Sequence, residues 1–112
     1  MNDADAASPT NLPLPVDPVV LAQELIACPS VTPNEGGALT LLEAVLQPMG
    51  FATRRVRFSD EGTPDVDNLV ATIGSGRPHL MLAGHTDVVP PGAGSLWTRP
   101  PFSGDVDGPY LY

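Results

Sequence analysis

The sequence predicts an α/β fold in which two helices precede the strands of a mixed central sheet. Three observations carry this. Two capped segments with helical spacing of apolar residues come first, then an extended segment with arginines on it, then an apolar run without alternation. That order points away from a helix bundle and from a β-sandwich.

The first element follows Asp17-Pro18, an N-cap side chain with proline at the first helical position. Leu21, Ala22, Leu25 and Ile26 continue at helical spacing, so a helix is predicted over 18–27, stopped by Pro29. Thr32-Pro33-Asn34-Glu35 reads as a capping box opening a second helix. Its stripe is Ala38, Leu41, Leu42, Val45, Leu46 and Met49, with Gly50 at the left-handed C-terminal position.

Residues 51–58 read as an edge strand, because Arg54, Arg55 and Arg57 require water on part of it. A loop covers 61–67, and Asn68 to Ile73 form a second strand. His79 to Ala83 form a third, whose Leu80, Met81, Leu82 and Ala83 predict burial on both faces at the centre of the sheet. Residues 1–14 are small, polar and proline-rich, and they are expected to fray as a disordered tail.

Composition limits the function. The 112 residues carry a formal net charge of −8, and the five basic residues are all arginines. Nucleic acid and anionic membrane surfaces both require a basic face, so neither is an expected partner. A single cysteine, Cys28, cannot close an internal disulfide and fits a reducing compartment. The first fifteen residues have neither a basic n-region nor a continuous apolar segment, so the cytoplasm is the default location.

The chemistry concentrates at Gly84-His85-Thr86-Asp87, directly after the third apolar run. Open α/β sheets bind ligands beyond the carboxyl ends of their strands, where His85 is placed. If the backbone stays extended through Thr86, His85 and Asp87 project to the same side. A carboxylate beside an imidazole is the arrangement that orients a metal-ligating histidine. Spacing alone leaves a second possibility open, in which His85 is a polar strand-end residue and Asp87 caps a turn. His79, at the opposite end of that run, has no carboxylate two or four residues away and reads as structural or solvent-facing.

Longer words are more specific. Cys28-Pro29-Ser30-Val31-Thr32-Pro33, Ala83-Gly84-His85-Thr86-Asp87-Val88-Val89-Pro90-Pro91-Gly92, and Trp97 with Pro100-Pro101-Phe102 occur in order, with Asp67-Asn68-Leu69 between the first two. Together they resemble the M20 metallopeptidase family, from Asp17 to Tyr112. Within that family they are most similar to the amidohydrolases that cleave N-succinyl amino acids.

The resemblance implies a zinc-peptidase-like catalytic domain with two Zn2+ ions per complete active site, Co2+ being an alternative. It implies His85 as a ligand to one ion and Asp87 as the active-site residue that orients it. A small N-acyl amino-acid substrate and a homodimeric full-length enzyme are implied too. Residues 15–112 would then be the N-terminal portion of the catalytic domain. The other metal ligands, the general base and the dimerisation domain would lie outside this sequence, and the 112-residue chain is expected to be inactive by itself. The alternatives are another deacylase of the same family, such as acetylornithine deacetylase, and a non-catalytic binding module.

Trp97 and Phe102 are read as packing anchors of the loop 90–102. Arg99 is read as a solvated side chain, with a substrate carboxylate as its other possible partner.

Overall fold

The computed structural model describes residues 16–112. The tail expected to fray, residues 1–14, lies outside the described residues. Helix α1 spans Pro18–Ala27 as predicted. The Asp17 carboxylate accepts from the backbone N–H groups of Val19 at 2.8 Å and Val20 at 3.3 Å, which satisfies two donors that a helix start leaves free. Its C-terminus closes through Cys28 N–H donating to the Leu25 carbonyl at 3.1 Å.

Helix α2 spans Ala38–Leu46, and its start corrects the predicted capping box. Thr32 does not cap it, because the Thr32 N–H donates to the Val88 carbonyl at 3.0 Å. A residue held extended by a distant segment cannot also be the first residue of a helix. Glu35 still caps, but its carboxylate accepts from Leu39 N–H at 2.8 Å. Ala38 and Leu39 are the buried apolar residues, while Met49 at the far end of the predicted stripe is exposed. A single 3-10 turn, Gln47–Met49, extends the helix to Gly50, whose φ of +94° is the left-handed value predicted there.

Strands β1, Ala52–Phe58, and β2, Val66–Thr72, pair antiparallel with Ala52 opposite Thr72 and Phe58 opposite Val66. Arg55 reaches from β1 to α2, donating to Thr40 Oγ1 at 2.9 Å and to Glu43 Oε2 at 3.1 Å. Arg57 instead holds its cross-strand neighbour Asp67 with two hydrogen bonds, at 2.8 and 3.1 Å.

Arg57's hydrogen bond, aided by its charge, holds the Asp67 carboxyl below the usual carboxylate value. A carboxyl depressed in the folded state adds stability above its unfolded pKa and loses it as pH falls through the folded value. The urea midpoints of the wild type and Asp67→Asn should therefore differ at neutral pH and converge in acid. Parallel curves across that range would show that the pair contributes nothing.

The predicted third strand is absent. Residues 79–83 are exposed and unpaired, with Leu80, Met81 and Leu82 at 86, 87 and 88% exposure. A strand buried on both faces needs a hydrogen-bonding partner and covering layers. Among the described residues the larger sheet is β1–β2 alone, and it does not reach this run. The α/β order of two helices followed by strands holds, but among the described residues the strands form two small antiparallel pairs and not a mixed central sheet.

The last segment folds back on α1. Gly104 is buried with φ +62°, and its carbonyl accepts from the Gln23 side-chain amide at 2.8 Å. A short hairpin comes next, β3 at Val106–Asp107 and β4 at Tyr110–Leu111. Arg99 belongs to this hairpin. It donates to Asp107 Oδ2 at 2.7 Å, lies 3.6 Å from Asp105, and stacks over the Tyr112 ring at 4.2 Å. That corrects the reading of Arg99 as a solvated side chain, since its charge is matched within the chain.

Candidate metal centre

His85 lies on the extended stretch after the apolar run, and a segment distant in sequence pins the chain from Thr86 to Val88. Val88 N–H donates to the Ser30 carbonyl at 2.9 Å, and Thr32 N–H donates to the Val88 carbonyl at 3.0 Å. These bonds make a single parallel bridge between Val31 and Val88. The Ser30 hydroxyl adds a third link, donating to the Thr86 carbonyl at 2.7 Å across 56 residues of sequence. The segment between Cys28 and Thr32 is thus the floor on which the histidine word sits.

Within that word the backbone brings the His85 ring to Asp87. His85 Nδ1 lies 3.1 Å from Asp87 Oδ1 and 3.0 Å from the Asp87 carbonyl. Both oxygens only accept while the carboxylate is ionised, so Nδ1 carries a proton in either charge state of the ring. In the neutral ring this leaves the Nε2 lone pair unprotonated. The His85 side chain is 83% exposed, so that lone pair is open to a ligand.

Beside His85 lies an open cleft of about 290 Å³, walled by Leu25, Ile26, Cys28, Val88 and Phe102. Phe102 is half-buried in this wall, as expected of a packing anchor. Trp97 anchors the neighbouring loop by donating from its indole N–H to the Pro91 carbonyl at 2.9 Å, although it stays 47% exposed. His79 is exposed, in agreement with the solvent-facing expectation.

No protein-family model matches the chain. Curated relatives do. A succinyl-diaminopimelate desuccinylase of Parvibaculum lavamentivorans is 57% identical over 109 residues, 97% of this chain and 27% of the relative. Desuccinylases of Rhodopseudomonas palustris and a Bradyrhizobium species are 61% and 54% identical over 82% and 86% of the chain. By sequence, the chain belongs to the succinyl-diaminopimelate desuccinylase family. It spans about a quarter of the length of the relatives it matches.

For a desuccinylase segment the donor set is partial. An imidazole with Nδ1–H held by a carboxylate and Nε2 free has the form of a zinc-ligating histidine. Among the described residues, no group of three or more His, Cys, Asp or Glu side chains comes together to hold an ion. His85 and Asp87 therefore fit one ligand and its orienting partner, and not a whole site. Of the residues around this pair, Ser30 has no role legible in the sequence. Its word, Cys28 to Pro33, is visible as a pattern, but its partner Thr86 is too far along the chain for spacing to show.

None of the described helices is long and apolar enough to cross a membrane.

Proposed function

We propose that this chain contributes to a dinuclear zinc amidohydrolase that cleaves N-succinyl-LL-2,6-diaminopimelate to succinate and LL-2,6-diaminopimelate, a step toward lysine and diaminopimelate. The relatives' name supports the substrate. The observation that supports the metal role is His85 Nδ1 held between two oxygens of Asp87, which keeps Nε2 unprotonated and outward in the neutral ring.

When bound, zinc or cobalt supplies Lewis-acid chemistry, polarising the amide carbonyl and acidifying a water. In this reading His85 donates its Nε2 lone pair. Asp87 keeps the ring in one tautomer and offsets the positive charge that the imidazole gains as a ligand. Leu25, Ile26 and Phe102 exclude water from one side of the cleft. The general base and the remaining ligands belong to the part of the enzyme that the relatives have and this chain does not span. On this reading the full-length enzyme is a cytoplasmic homodimer, and the 112 residues alone do not turn over substrate.

The test is a chimera in which this chain replaces the matching quarter of the Parvibaculum enzyme. It should bind zinc, release succinate from the N-succinyl substrate, and lose turnover with a chelator and regain it with added zinc. The isolated chain should show no turnover. Activity indifferent to metal removal would sink the zinc reading, and a preference for N-acetylornithine would sink the substrate.

A further inference from the structure

We propose that Ser30 is a positioning residue for the His85–Asp87 pair, its hydroxyl doing in the parallel bridge what its own backbone N–H would otherwise do. This rests on the reading of His85 as a metal ligand, but the geometry that supports it stands apart from any metal.

In a regular parallel ladder built on a Val31–Val88 bridge, the rung before it joins Ser30 N–H to the Thr86 carbonyl. That rung is missing here, because Ser30 N–H turns back to the Cys28 carbonyl at 2.7 Å as the chain leaves Pro29. The Thr86 carbonyl would be left without its ladder partner. The Ser30 hydroxyl takes the place, at 2.7 Å. Ser30 is also the one buried polar residue among those described, 3% exposed, where losing a hydrogen bond costs most.

The carbonyl it holds belongs to the residue between His85 and Asp87. Fixing that peptide plane limits Thr86 ψ and Asp87 φ, the two torsions nearest the Asp87 backbone. They set how the Asp87 carbonyl and carboxylate face Nδ1. Ser30 touches neither the ring nor the carboxylate, and it acts through the backbone that joins them.

The experiment is nitrogen-15 NMR of histidine-labelled 112-residue chain at alkaline pH, where neutral imidazole tautomers are distinguished by their nitrogen shifts. Wild-type His85 should be mainly the Nδ1–H form, with exposed His79 as the internal reference. Ser30→Ala should lower the Nδ1–H to Nε2–H ratio of His85 by about fivefold, the scale of one net hydrogen bond, and leave His79 unchanged. Ser30→Thr, which keeps the hydroxyl, should restore the ratio.

A folded Ser30→Ala chain with an unaltered His85 ratio overturns the proposal, as does Ser30→Thr failing to restore it. If Ser30→Ala does not fold, the wild type decides. Its Ser30 hydroxyl proton should exchange slowly and show an Overhauser contact to Thr86, and a fast-exchanging hydroxyl without that contact overturns the proposal. No metal enters these measurements, so failure of the zinc reading would appear only in the chimera.

Discussion

If His85 ligates a metal as proposed, replacing it with alanine in the chimeric enzyme should lower kcat/KM on the order of 10³-fold and lower the zinc bound per chain. The size follows from the several kcal/mol that a Lewis acid contributes to a hydrolytic transition state, at about 1.4 kcal/mol per factor of ten. Asp87→Asn should cost less, about 10–100-fold, the usual range for a residue that orients a metal ligand. The difference has a structural cause. Asparagine retains a side-chain oxygen for Nδ1–H, and the Asp87 main-chain carbonyl at 3.0 Å is untouched, so the ring keeps part of its orientation. What is lost is the negative charge that strengthens the bond and offsets the charge on a metal-bound imidazole. Zinc content per chain and steady-state kinetics on both variants check this. A His85→Ala chimera that keeps the unsubstituted chimera's zinc content and turnover would overturn the proposed ligand role of His85.

The elements predicted well are those whose causes are local. Asp17 caps α1 two and three residues away, and Gly50 ends the helical segment with a torsion that glycine adopts freely. The His85–Asp87 contact also spans only two residues, so extended backbone alone predicts it. The misreadings involve partners that local spacing does not show, from six residues away to more than fifty. Thr32 looks like a helix cap until Val88 takes its N–H, and Arg99 looks solvated until the hairpin at Asp105 and Asp107 folds beside it. The run from Leu80 to Ala83 carries the composition of a buried strand. Composition states what a segment requires from its surroundings, and the described residues do not supply it. Ser30 is the same case at the site itself, a small hydroxyl whose role depends on a carbonyl 56 residues later.

Gly36 is where a single methyl group should disturb the fold most, and the disturbance should reach His85. Its φ is +60°, and a Cβ there would lie 2.6 Å from the Pro29 carbonyl carbon and 2.7 Å from both the Pro29 oxygen and the Ser30 nitrogen. All three are backbone atoms, so no side chain can rotate away, and the main chain itself must move. Gly36→Ala should therefore cost about 3 kcal/mol, the upper end for a strained non-glycine residue. Gly37→Ala is the control. Gly37 also has positive φ, +94°, but a Cβ there meets nothing within 4 Å, so only the torsional cost of about 1–2 kcal/mol applies. Urea denaturation of both variants separates collision from torsion. Because the atoms displaced in Gly36→Ala precede the bridge to Val88, that variant should also expose the Val88 and Thr32 N–H groups to faster hydrogen exchange, while Gly37→Ala leaves them protected. Equal destabilisation by the two, with both amides still protected, would mean that the approach of Gly36 to Pro29 and Ser30 does not hold the floor beneath the histidine.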